Sequence, residues 1–141
     1  MSEKTLPLSP EELLKLAENI PTPFYLYDEK AIVENARRFT SLFSWAPGFR
    51  NYFAVKACPN PSIVSILGRE GFGSDCSSLP EMVMSEACGI TGESLMFTSN
   101  NTPPEEFVEA YRQGAIINLD DITHIDAMVE ALGEVPSLIC F

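Results

Sequence analysis

Apolar residues in this chain fall into short runs separated by stretches with helical spacing. Glu11 to Asn19 reads as a short amphipathic helix entered through Ser9-Pro10, with Ser9 as N-cap. Ile20-Pro21-Thr22-Pro23 breaks it, and Phe24 to Tyr27 has the aromatic content of a strand. Asp28 caps a helix over Glu29 to Phe43, where Ile32, Ala36, Phe39 and Phe43 recur at helical spacing. The rhythm then repeats. Strands are predicted at 52–55, 72–75, 95–98, 115–119 and 136–141. Helices are predicted between them: from Pro61 to Gly71, from Leu79 to Gly89, from Pro103 to Gly114 and from Thr123 to Leu132.

Strand ends spaced roughly 20 to 25 residues apart suit βαβ units with crossover helices. The strands read as continuous apolar runs, as in a parallel sheet buried on both faces. A doubly wound sheet and a (β/α)8 barrel both fit, but no Gly-x-Gly-x-x-Gly follows any strand. Each apolar run gives way at its C-terminal end to a polar group: Lys56, Asp75, Asn100 and Asp120. In a barrel those ends share one rim, where active sites sit. The plain alternative for Asp75, Asn100 and Asp120 is ordinary turn and cap chemistry. The fold class is therefore α/β, the N-terminal part of a (β/α)8 TIM-type barrel. A whole barrel needs about 250 residues, so the 141 present are expected to be an incomplete one that stops within a strand at Phe141. Residues 1–21 read as an N-terminal helix and Pro-rich lead-in, and residues 22–141 as the first strand-helix units.

Charge narrows the range of partners. Nine Lys plus Arg against twenty Asp plus Glu give a net charge of −11, which argues against nucleic acid and anionic membranes. No stretch approaches the roughly 18 apolar residues of a membrane span. The four cysteines lie far apart with no Cys-x-x-Cys pair, and His124 is the only histidine. That pattern argues against a zinc site or a disulfide scaffold, so no metal is expected. It reads instead as reduced thiols of a cytoplasmic protein.

Lys56 carries the chemistry. An ammonium at the end of a buried strand is costly to desolvate, which makes the neutral amine accessible, and only the free amine attacks an aldehyde. Asp75 on the neighbouring strand is placed to pair with Lys56 or orient its nitrogen. The structural alternatives are a plain Lys56–Asp75 ion pair or a lysine that snorkels to water.

Tyr52-Phe53-Ala54-Val55-Lys56-Ala57 resembles the segment that carries the cofactor lysine in alanine-racemase-like barrel enzymes. Gly71-Phe72-Gly73-Ser74-Asp75-Cys76-Ser77-Ser78-Leu79-Pro80-Glu81 resembles the Gly-x-Asp-x-x-Ser-x-x-Glu block of the diaminopimelate, ornithine and arginine decarboxylases. Thr22 to Asp28, Asn100 to Pro103 and Ile116 to Asp121 continue the likeness in order. The resemblance implies a pyridoxal 5'-phosphate-dependent amino-acid decarboxylase with a small amino-acid substrate, meso-diaminopimelate favoured, giving L-lysine and carbon dioxide. It implies that Lys56 holds the cofactor covalently, that Asp75 sets the lysine's charge and orientation, and that Glu81 is a supporting carboxylate. As a helix-start residue, Glu81 fits a purely capping role equally well. The resemblance also implies a homodimer when full length and little activity in this stretch alone. The other readings are an ornithine- or arginine-type enzyme, a racemase of the same fold, and a non-catalytic relative that binds cofactor or partners. After Lys56-Ala57 the chain reads Cys58-Pro59-Asn60, where many relatives have Asn directly after Ala.

Overall fold

Short apolar segments can close their backbone hydrogen bonds only by pairing with one another, and here they do so in chain order. The structure, a computed structural model, describes residues 6–141. Its five strands are β1 (Tyr52–Ala54), β2 (Gly73–Cys76), β3 (Leu95–Ser99), β4 (Ile116–Leu119) and β5 (Ile139–Cys140), all parallel, in the order β1-β2-β3-β4-β5. That order decides between the two topologies left open by the strand-helix rhythm. A doubly wound sheet reverses direction at a switch point, whereas a barrel adds each strand beside the last.

Helices connect the strands, and the sequence starts them as expected. Helix α1 (Pro10–Asn19) opens with a capping box, in which Ser9 Oγ accepts from Glu12 N at 3.3 Å and Glu12 Oε2 accepts from Ser9 N at 2.8 Å. Asp28 Oδ1 caps α2 (Glu29–Leu42) through Ala31 N, and Asn60 Oδ1 caps α3 (Pro61–Arg69) through Ser62 N. Helices α4 (Leu79–Ala87), α5 (Pro104–Arg112) and α6 (His124–Leu132) follow in turn. The sequence-predicted lead-in begins at residues 1–5, which lie outside the described residues.

The expectation of strands buried on both faces is corrected. Leu95 and Phe97 of β3 and Ile117 and Leu119 of β4 are buried, while Met96, Thr98, Ile116 and Asn118 between them stay half-exposed. Successive side chains leave a strand on opposite faces. One set packs with Met82, Phe107 and Met128 of the surrounding helices into the main core. The other set forms the inner face, which no described helix covers to the same depth.

Two strand expectations are also corrected. Phe24–Tyr27 joins no strand among the described residues, and Tyr25 is 88% exposed. Aromatic content fits a pleated surface, yet a ladder needs a partner, and the prolines at 21 and 23 have no N–H to give. At the other end only Ile139–Cys140 of the predicted 136–141 pairs, against Ile117 and Asn118. Pro136 again brings no donor to the start of that run.

Gly73 fixes the spacing of β1 and β2. A Cβ there would lie 2.5 Å from the backbone oxygen of Ser94 and 2.6 Å from Tyr52 Cδ1. Gly73→Ala must therefore push backbone apart, and it is expected to cost about 1–3 kcal/mol. Urea denaturation of the full-length protein checks this: the midpoint falls while the slope stays as in wild type.

Candidate active site at the strand ends

Lys56 lies in a single tight turn, Val55–Ala57, directly after β1. Val55 is fully buried in the main core, so the backbone that carries the lysine is anchored. The Lys56 side chain itself is exposed, and no carboxylate lies within 4.0 Å of its amine among the described residues. The expectation of a buried ammonium is thereby corrected, because the described residues remove little water from it. The plain Lys56–Asp75 ion pair also does not form.

Asp75 sits within β2, and its register partner on β1 is Ala54, two residues before Lys56. Its Oδ1 accepts from Thr98 Oγ1 at 2.9 Å. Partial burial pushes the Asp75 carboxyl above its ordinary range; the Thr98 hydrogen bond and the Lys56 charge pull the other way, and the Glu81 carboxylate adds to the rise. Lys56, Asp75 and Glu81 thus share one electrostatic neighbourhood.

Glu81 is in the third position of α4. Its Oε2 accepts from Ser77 N at 2.9 Å and its Oε1 from Ser78 Oγ at 3.1 Å. A second carboxylate, Glu106 of α5, accepts from Leu79 N at 2.9 Å. Both acids satisfy donors that a helix start leaves open, so the capping role of Glu81 is visible in the geometry. Asn100 and Asp120 end β3 and β4 on the same rim, both exposed. His124, the first residue of α6, meets Phe107 edge-on with ring centroids 6.3 Å apart and stands apart from the rim groups.

Sequence reading passed over two inner-face residues. Asn118 Nδ2 donates to Thr98 Oγ1 at 3.2 Å, which extends the contact of Asp75 across three strands. The available signal was a polar residue inside an apolar run, at the parity opposite to Phe97 and Ile117.

Cys76 follows Asp75 and points into the core, where its Sγ lies 3.3 Å from Ser85 Oγ. Burial pushes its thiol up to about 12 despite the Ser85 contact, and the Glu81 and Asp75 charges add to the rise. At pH 8 only about one part in ten thousand would be thiolate. Cys76 should stay unmodified by iodoacetamide in the folded protein and react after denaturation, as peptide mapping would show.

The structure thus brings together an amine on an anchored turn and a half-buried carboxylate at the C-terminal ends of neighbouring strands of a parallel β/α sheet. The family described as "Pyridoxal-dependent decarboxylase, pyridoxal binding domain" matches residues 29–139, and the chain belongs to it. Among relatives, the chain is 42% identical over 127 residues to Protein TabA of Pseudomonas amygdali pv. tabaci, covering 90% of this chain and 29% of that protein. It is 32% identical over 116 residues to diaminopimelate decarboxylase of Thermoplasma acidophilum, covering 82% and 28%. A solved structure of SrLDC in complex with PLP and cadaverine superposes with a TM-score of 0.73 at 28% identity, covering 92% of this chain and 34% of that one. The chain thus spans about a third or less of the proteins it matches.

Pyridoxal phosphate is the cofactor of this family, and the described residues fit its aldehyde end. Lys56 offers an amine without a partner, on an anchored turn. The start of α4 does not fit the phosphate end, because Glu81 and Glu106 already occupy its Ser77 and Leu79 donors. No helix among the described residues is long and apolar enough to cross a membrane.

Proposed function

We propose that the whole protein containing this chain is a pyridoxal phosphate-dependent carboxy-lyase that converts meso-diaminopimelate to L-lysine and carbon dioxide. The observation that carries this is the Lys56 amine, without an ion-pair partner among the described residues, on its buried Val55 anchor and two residues beyond Ala54, the register partner of Asp75. The likeness to diaminopimelate decarboxylases supports the substrate. Lys56 would hold the cofactor, Asp75 would set the charge and orientation of the lysine, and Glu81 would brace the rim by fixing the start of α4. When bound, the cofactor supplies the sink for the electrons released as the carboxyl group leaves. The chain's own part is to bind, orient and hold charge. In this reading residues 1–21 lead into a barrel begun by residues 22–141, the full protein is a homodimer, and its widely spaced free cysteines suit the cytoplasm.

A second reading keeps the reaction class and changes the amino acid. It is favoured by the higher identity to TabA, 42% against 32% for the Thermoplasma enzyme. One experiment separates the two. Carbon dioxide release is measured from full-length protein with cofactor and a panel of diaminopimelate, ornithine, arginine and lysine. Release from diaminopimelate alone supports the first reading. Release from another member of the panel supports the second, and release from none overturns both.

A further inference from the structure

Three polar side chains cross the inner face of β2, β3 and β4 as one hydrogen-bonded row. Asn118 Nδ2 donates to Thr98 Oγ1 at 3.2 Å, and Thr98 Oγ1 donates to Asp75 Oδ1 at 2.9 Å. A threonine hydroxyl has a single proton. With the Asn118 amide directed at its oxygen, Thr98 gives that proton onward, so the row runs one way and ends on the carboxylate. Thr98 and Asn118 are register partners in the parallel ladder. Their chain neighbours Phe97 and Ile117 are each 1% exposed, which locks both backbones in place. The second oxygen of Asp75 has no hydrogen-bond partner among the described residues.

We infer that Thr98 and Asn118 are positioning residues that hold the Asp75 carboxylate in one orientation beside Lys56. The inference rests on the reading of Lys56 as the cofactor lysine. Neither residue acts on the amine directly; both act through Asp75. The charged groups that bear on Asp75 are Lys56, from the turn after β1, and Glu81, from α4. The neighbouring Cys76 thiol stays neutral in the core. Removing the Thr98 proton leaves burial and Glu81 opposed by Lys56 alone, so the carboxyl moves further up. A swung-away Asp75 then no longer orients the Lys56 amine.

The test uses full-length protein with Thr98→Val, Thr98→Ser, Asn118→Ala and the Thr98→Val/Asn118→Ala pair. Competitive acetylation with acetic anhydride across pH, on protein stripped of cofactor, reads the reactivity of Lys56, with Lys15 and Lys30 as internal references. Thr98→Val should change the rate at which Lys56 is labelled relative to Lys15 and Lys30. In the reloaded enzyme it should lower kcat by about tenfold or more, as for loss of a hydrogen bond to a charged group. KM should change by less than about threefold, since substrate binding is left alone. Thr98→Ser should recover most of both effects. Asn118→Ala should move both in the same direction by less, and the pair should match Thr98→Val rather than multiply the losses. A Thr98→Val labelling profile that coincides with wild type overturns the inference, as do multiplied losses in the pair. A cofactor adduct that survives Lys56→Ala instead overturns the reading beneath it, so the two failures are distinguishable.

Discussion

A full-length protein carrying Lys56→Ala is expected to lose its covalent attachment to pyridoxal phosphate and nearly all turnover. The loss should be on the order of a thousandfold or more, the scale seen when a covalently acting side chain is deleted. Borohydride reduction followed by peptide mapping reads the attachment directly: wild type should be labelled at Lys56, and the variant should carry no label there. Lys56→Arg sharpens the test. It keeps length and charge but supplies a guanidinium that stays protonated, so no free amine can form. Both substitutions should leave stability within about 0.5 kcal/mol of wild type, because Lys56 is exposed and makes no ion pair among the described residues. A label on Lys15 or Lys30, or normal turnover in Lys56→Ala, would move the site elsewhere on the protein.

Much of this fold is legible from the sequence because its signals are local. Ser9 and Asp28 announce helix starts through their own side chains, and each caps as expected. Lys56 and Asp75 stand out as charges at the ends of apolar runs. What escapes is whatever depends on a partner distant in sequence. Phe24–Tyr27 has strand composition, but composition cannot supply a neighbouring strand. The exposure of Lys56 follows from what packs over it, not from the run that precedes it. The Asp75–Thr98–Asn118 row needs the register of three strands, which pairs Thr98 with Asn118 and sets Asp75 beside Met96. Apolar runs read as uniform hide the alternation that separates the two faces, and Thr98 and Asn118 were hidden with it.

That alternation separates folding from chemistry between adjacent residues, and Phe97 offers the cleanest measure of it. Phe97 is 1% exposed and packs in the main core, with Met82 and Phe107 among its members, while Thr98 beside it faces the inner side of the sheet. Phe97→Ala removes an aromatic ring from a site whose walls are strands and helices held by their own hydrogen bonds, so the gap can close only in part. The expected cost is about 3–5 kcal/mol, a large share of the roughly 5–15 kcal/mol that holds a typical domain together. Chemical denaturation of the full-length protein should show the midpoint falling by that amount at an unchanged slope. Thr98→Val should shift the same midpoint much less, since the side chain keeps its shape and loses a single hydroxyl group rather than an aromatic ring. The two substitutions should therefore exchange roles, Phe97→Ala lowering stability with kcat per folded molecule preserved and Thr98→Val doing the reverse. Equal losses of stability would mean that the inner face is as tightly packed as the outer one, and the division of labour along β3 would fail.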